Sequence, residues 1–272
     1  MPIIRHIETL DSPELSPYRT LRRPAEHLRD GIFVAEGEKV VRRLLATALT
    51  VRSLLVTPEW EARLKEEDIL GGRSSTTLLV GGKELLETIV GFHLHQGIMA
   101  VAHLPPDSNI EAMIHGAQAP RLFVALDALV NAENVGVVVR SCAAFGVHGI
   151  IVGESSSSPY LRRAVRNSMG AVFTLPIHHA SDLARELRVL RTGHLFSVIA
   201  ADPSGAHPIG SCDFTSDTVI VVGNEGGGIS ERVLAEATMR AAIPMSGEID
   251  SLNVGNACAV FLYEVLRQRG AL

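Results

Sequence analysis

In the second half of this chain, short and almost wholly apolar runs alternate with loops rich in glycine and asparagine. LFVALDAL (122–129) leads into NAENVGVVVR, TVIVVG (218–223) into NEGGGIS, and RAAIPM (240–245) into SGEIDSLNVG. A strand that is apolar on both faces must be covered on both, and such strands belong to parallel sheets whose crossovers are helices. The pattern therefore predicts a parallel α/β domain. It contains a helix from about Asn134 to Phe145, further strands at GIIVG, FTLPI and LFSVIAA, and a closing helix from about Leu252 to Arg269. Open sheets of this class bind ligands beyond the C-terminal ends of their strands, where the three loops lie.

The first hundred residues alternate differently. From Glu36 to Leu49, Val40, Val41, Leu44 and Leu45 share one face and Glu38, Lys39, Arg42 and Arg43 the other, which predicts an amphipathic helix. VRSLLVT, TTLLV and GIMAVAHL read as strands, and the stretches from Glu59 and over KELLETIV as helices. A small α/β domain over 1–104 follows. Pro105, Pro106 and Pro120 bracket a weakly patterned stretch, so 105–120 is expected to be a linker and 121–272 the second domain. A chain of 272 residues has room for two such domains.

Composition excludes several classes. No uncharged apolar run approaches the ~20 residues of a bilayer span. The segment MPIIRHIETLDSPELS has acids and no apolar stretch before a cleavage site. The expectation is a soluble, cytoplasmic protein with no membrane partner. Cys142, Cys212 and Cys258 are odd in number and lack CxxC spacing, which predicts three reduced thiols and neither a disulfide framework nor a zinc site. His93 with His95, and His178 with His179, lack the further ligands of a metal set, so they are read as solvated or core histidines and no metal is expected. At 4% aromatic residues, Trp60 included, there is no base-stacking stripe.

A net charge of −5 argues weakly against a polyanion partner. Local distribution argues the other way: between Pro159 and Arg191 stand Arg162, Arg163, Arg166, Arg185, Arg188 and Arg191 against only Asp182 and Glu186. Lys39, Lys65 and Lys83 are the only lysines, so nearly all the positive charge is guanidinium, which suits bidentate phosphate contacts. A phosphate-binding face and a genomic codon bias both account for this skew.

GNEGGGIS (223–230) has the outline of a phosphate loop, but Ile229 stands where a triphosphatase needs its lysine. No GxGxxG opens either half, which disfavours a nucleotide-dependent oxidoreductase or hydrolase. Taken singly, GNEGGG reads as a tight strand-to-helix turn.

Taken together, the loops resemble the three sequence motifs of the SpoU/TrmH family of RNA ribose 2′-O-methyltransferases. Asn134, Gly136 and Arg140, followed by AAFGV, reproduce the first motif; Gly223, Glu225 and Gly228 match the second; Ile243, Pro244, Met245, Ser251, Leu252, Asn253 and Val254 match the third. RNSMGAVFTLPI (166–177) is similar to the family's linking segment. FVAEGEKVV and HQGIMAV look like the ends of its N-terminal RNA-binding domain, whose fold resembles a ribosomal protein. Two positions depart from the pattern: Asn131-Ala132 stands where the family usually has Asp-Pro, and Gly255 where it usually has serine.

The resemblance implies an α/β fold whose C-terminal domain is a trefoil-knotted, parallel-sheet methyltransferase, preceded by a small ribosomal-protein-like domain. It implies S-adenosyl-L-methionine as cofactor, met by backbone groups at Gly223, Ile243 and Leu252, for which core burial is the bland alternative at the last two. It implies a homodimer acting on RNA, ribosomal RNA first and transfer RNA second, with Arg22, Arg23, Arg42 and Arg43 either touching phosphates or forming a solvated face. Arg140 is the family's expected catalytic residue. An arginine side chain ionises at about 12.5–13.8, so a phosphate clamp and oxyanion stabiliser suits it better than a base. Asn134 would orient ribose or guanidinium, and Glu225 would hold Asn134. Ser251 and Asn253 would either contact substrate or cap the last helix. A noncatalytic RNA-binding protein that keeps the knot is the rival reading.

Overall fold

The computed structural model describes residues 2–94, 96–247 and 251–271, and within it the chain forms two compact units. Residues 1–105 form the body of the first. Its sheet contains β1 (Ile3–His6), β2 (Ile32–Glu36), β3 (Val51–Val56), β4 (Thr77–Val80) and β5 (Ile98–His103) in the order β1-β4-β3-β5-β2. The first three of that order run parallel, and β5 runs antiparallel to both β3 and β2. Leu15, Tyr18, Leu55, Leu79, Leu86, Met99 and Val101 are buried in one cluster behind it.

The expected helix is shorter than its apolar pattern, Glu38–Leu45, because Glu36 belongs to β2 and Gly37 turns the chain at φ 90°. Val40, Val41, Leu44 and Leu45 are its buried residues, as the periodicity requires. Its first N–H groups lack a side-chain cap at Gly37; Gln96 instead brings Oε1 to 2.7 Å from the Glu38 N–H. At φ 90° the backbone of residue 37 lies in the region that favours glycine, and a Cβ there would also stand 2.6 Å from that oxygen.

The first unit also takes in Tyr160–Phe173 from the middle of the second half. Phe33 of β2 holds this segment between two rings, Tyr160 at 5.6 Å and Phe173 at 5.5 Å between centroids. The helix Arg162–Asn167 within it places Arg162 against Glu36 at 2.5 Å. This differs from the expected division at 105–120, and that stretch is not a bare linker. Asn109 caps a helix, Ile110–Gly116, by accepting from the N–H groups of Glu111 and Ala112, and Met113 and Ile114 are buried in a cluster with Phe123 and Phe196. FTLPI is not the expected strand either. Residues Ala171–Phe173 form a 3-10 turn, Phe173 packs in the first unit, and sheet pairing begins only after Pro176, which has no N–H to give.

The second unit, residues 106–159 and 174–272, is built on β6 (Leu122–Leu126), β7 (Gly149–Val152), β8 (Ile177–His179), β9 (Ser197–Ala201), β10 (His207–Pro208), β11 (Thr218–Val222) and β12 (Met239–Ala242). All pair in parallel, in the order β10-β12-β9-β11-β6-β7-β8. Every residue of β6 and β11 is buried, as strands covered on both faces must be. Because the strands share one direction, the loops after β6, β9, β11 and β12 emerge at one edge. Among the described residues no helix is long and apolar enough to cross a membrane.

The arginine-rich stretch is divided between the two units. Arg162, Arg163 and Arg166 lie on a helix of the first unit, and Arg185, Arg188 and Arg191 on the helix Leu183–Gly193 of the second. Arg188 and Arg191 both bind Glu236, which is 3% exposed, and together hold its carboxyl below the usual range. The three cysteines are buried and free.

Two outcomes follow from this architecture. A chain cut to residues 106–272 keeps Tyr160, Val165, Val172 and Phe173 but loses the unit that covers them, so it should be aggregation-prone, where the linker reading expects a soluble fragment. Replacing Tyr160–Phe173 by a Gly/Ser linker should restore solubility, checked by sedimentation.

His148 accepts the Leu122 N–H through Nδ1 at 3.0 Å, and burial, with Arg269 and Arg121 near, lowers its pKa. Its stabilisation is complete above the unfolded value of about 6.5 and is lost as pH falls through the lower folded one. The drop in melting temperature between pH 7 and pH 5 should shrink in His148→Asn, whose amide oxygen accepts the same bond without titrating.

Candidate functional site

The loop after β11 is shaped by one side chain. Asn224 Oδ1 accepts from the N–H groups of Gly226 at 2.8 Å and Gly227 at 2.9 Å, while its Nδ2 donates to the Ala128 carbonyl beyond β6 at 2.9 Å. Asp127, 7% exposed, accepts the Ser230 N–H at 2.6 Å and fixes the far end of the loop. The backbone of Asn224 pairs with that of Gly228, folding the loop back on itself. A Cβ on Gly223 would meet the Gly228 carbonyl at 2.5 Å, so this position has no room for any side chain.

The loop after β6 is braced by the serine run. Ser156 Oγ bridges the Leu129 N–H and the Leu126 carbonyl, and Ser157 Oγ donates to the Val130 carbonyl. Asn131 then caps the helix Ala132–Ala144 by accepting from Glu133 N–H at 2.9 Å and Asn134 N–H at 3.4 Å. An asparagine here does the capping work of the aspartate usual in the motif, and Ala132 occupies the first helical position, where proline is also tolerated.

Asn134, in the first turn, donates through Nδ2 to Glu225 Oε1 and accepts at Oδ1 from Asn253 Nδ2 at 3.1 Å. Asn253 in turn caps the helix Val254–Gln268, its Oδ1 accepting the Gly255 N–H at 2.9 Å. One carboxylate and two carboxamides thus chain together the loops after β6, β11 and β12. The loop after β12 is described except for residues 248–250.

These loops surround a cavity of about 520 Å³. Gly223, Glu225, Ile243, Ser251, Leu252 and Asn253 line it, and Asn134 joins through its bonds to Glu225 and Asn253. Ile243 and Leu252 are not core residues; Leu252 is 41% exposed. Of the two readings open for Ser251 and Asn253, capping belongs to Asn253, and Ser251 makes no cap. Arg140 stands apart. Six residues beyond Asn134 it is turned about 120° around the helix, exposed and outside the cavity lining. Sequence reasoning missed a fourth wall, Asp202, Pro203 and Ser204 after β9. Its signal was there to read, a DPSG turn directly following a strand, with Asp202 Oδ1 accepting the Ser204 N–H.

No three His, Cys, Asp or Glu side chains group as a metal requires among the described residues. His178 and His179 do have carboxylate partners, Glu186 at 2.8 Å and Asp107 at 2.7 Å respectively, brought from elsewhere in the chain. His93 pairs with Glu87 at 2.7 Å, and His95 lies outside the described residues.

A family model, described as the SpoU rRNA methylase family, matches residues 121–263, which span all three motif loops. The chain belongs to this family. With membership in the SpoU family goes its class of chemistry, methyl transfer to RNA. A relative named as an uncharacterized tRNA/rRNA methyltransferase of Mycobacterium bovis is 32% identical over 265 residues, covering 94% of this chain and 90% of its own. Among solved structures, the AdoMet-bound rRNA methyltransferase from Sinorhizobium meliloti superposes with a TM-score of 0.81 at 25% identity, covering 97% and 98% of the two chains. An RNA 2′-O ribose methyltransferase superposes at 0.77 with 26% identity over 99% of each.

Gly255, the second departure from the SpoU pattern, has a steric cause. A Cβ there would stand 2.5 Å from Val137 Cγ1 on the neighbouring helix. Restoring the usual residue by Gly255→Ser should therefore cost about 1–3 kcal/mol by overpacking. The cost should largely vanish in a Val137→Ala background, measured as the coupling in a urea-denaturation double-mutant cycle.

Proposed function

We propose that this chain methylates a ribose 2′-hydroxyl of structured RNA with S-adenosyl-L-methionine, ribosomal RNA being the favoured substrate class and transfer RNA the second. The observation that carries the reading is the convergence of six of the expected site residues, Gly223, Glu225, Ile243, Ser251, Leu252 and Asn253, on one cavity, with Asn134 bonded to two of its walls.

The residues lining the cavity suit the parts of such a cofactor. Val222, Ala241, Ile243, Leu252 and Phe261 offer apolar surface to a purine, while Asp202, Ser204, Asn224 and Ser251 offer polar groups to a ribose and an amino-acid end. Gly223, Ile243 and Leu252 would hold it through main-chain groups. When bound, the cofactor supplies a sulfonium methyl group for the ribose oxygen to take in line.

The protein's own groups do the rest. Arg140 clamps an RNA phosphate and stabilises negative charge as it grows on the ribose oxygen, a role for a permanent cation rather than for a base. Asn134, its carboxamide held at both atoms by Glu225 and Asn253, orients the ribose; neither partner needs to move for it to do so. Ser251 meets the substrate at the rim. We read the second unit as the trefoil knot and the protein as a homodimer, for which Val260 and Tyr263, 38% and 52% exposed on the closing helix, provide apolar contact surface. The first unit is read as the RNA substrate-binding domain.

Calorimetry should find S-adenosylmethionine and its demethylated product binding without added metal, and Gly223→Val should abolish both. Arg140→Ala should keep that affinity while losing about 10²-fold or more in methyl transfer, with Arg140→Lys rescuing little. A folded wild type that binds no cofactor would overturn the catalytic reading.

A further inference from the structure

The first unit contains a cavity of about 220 Å³ whose walls include Glu36, Gly37, Lys39, Gln96, Arg166 and Met169. It lies where two distant stretches meet: the start of the helix Glu38–Leu45 and the Tyr160–Phe173 segment. Each brings cations. Lys39 is exposed and pairs with no acid among the described residues. Arg166 is 62% exposed and only loosely held, its Nη1 lying 3.6 Å from Glu36. Arg43 is anchored beside them by donating to the Met169 carbonyl at 2.6 Å.

The acids nearby are already engaged. Glu36 is committed to Arg162 at 2.5 Å, and Glu38 to Arg42 at 3.0 Å. Gln96 spends its Oε1 on the Glu38 N–H, so what its carboxamide has left to give is N–H. The available groups at this cavity are therefore donors, and they carry net positive charge. A sugar or a peptide would need acceptors as well; a phosphodiester, with only acceptor oxygens and a negative charge, matches the set. Of the arginines expected from sequence to meet RNA, Arg43 lies beside this cavity, whereas Arg42 is held by Glu38 and Glu67 and lies over Trp60, and Arg23 pairs with Glu26.

We propose that Lys39 and Arg166, with Arg43 beside them, form a phosphate grip for the backbone of substrate RNA. The inference rests on the RNA-methyltransferase reading and adds the place where the first unit takes hold. It also accounts for the path of the Tyr160–Phe173 segment, which carries Arg166 from the catalytic half of the sequence into the RNA-binding unit.

The test is fluorescence anisotropy of the full chain with a fluorescein-labelled stem-loop RNA of mixed sequence across a salt series. In Lys39→Ala/Arg166→Ala the slope of log affinity against log salt should fall by about 2, and binding at low salt should weaken by roughly tenfold or more. Cofactor affinity and melting temperature should match wild type. Lys65→Ala, on another helix of the same unit and paired with Glu61, should leave the slope unchanged. An unchanged slope in the double variant, or an equal fall in Lys65→Ala, would overturn the grip while leaving the methyltransferase reading intact. A wild type that binds cofactor but no RNA at low salt would overturn both.

Discussion

The carboxamide of Asn224 holds the candidate site in shape. Its oxygen gathers two glycine N–H groups and its nitrogen reaches the Ala128 carbonyl, so one side chain both folds the loop after β11 and ties it to the end of β6. Everything further out depends on that tie. Glu225, the next residue, meets Asn134; Asn134 meets Asn253; and Asn253 starts the last helix. Three loops that a parallel sheet merely delivers to one edge are made into a single wall by hydrogen bonds between polar side chains.

Guanidinium groups hold the chain together in a way that composition does not reveal. Arg269 donates to the carbonyls of Phe214, Pro120, Arg121 and Ser216, and Arg73 to those of Leu45, Thr47 and Leu49. Loop carbonyls that no strand or helix satisfies are collected by one planar fork in each case. Burial lowers the pKa of Arg269, a measure of how far it has left solvent. Within 159–191, Arg162 is likewise committed to Glu36, and Arg188 and Arg191 to Glu236, so part of the positive charge of that run is neutralised within the fold.

What was legible in the sequence was whatever depends on local pattern. β6, β11 and the helix Ala132–Ala144 announce themselves by apolar runs and spacing, and the motif loops by their residues. The cavity-lining role of Ile243 and Leu252 followed from motif resemblance, since an apolar residue beside a strand reads equally well as core. β2 went unread because its apolar stretch is short and runs into Glu36 and Gly37. The pairing of Glu36 with Arg162, and of Phe33 with Tyr160 and Phe173, joins residues too far apart in sequence for any local pattern to link. The same holds for Asp107, which meets His179 across 72 positions.

The detour of Tyr160–Phe173 into the first unit sets an order of assembly. During synthesis the sheet of β1 to β5 emerges early, yet the rings that flank Phe33 and the arginine that neutralises Glu36 are made only after β6 and β7 have followed. The first unit therefore waits, with Phe33 and the Glu36 carboxylate uncovered, until residues 160–173 have been made. Its completion is a long-range event: Arg162 reaches Glu36 across 126 positions of chain.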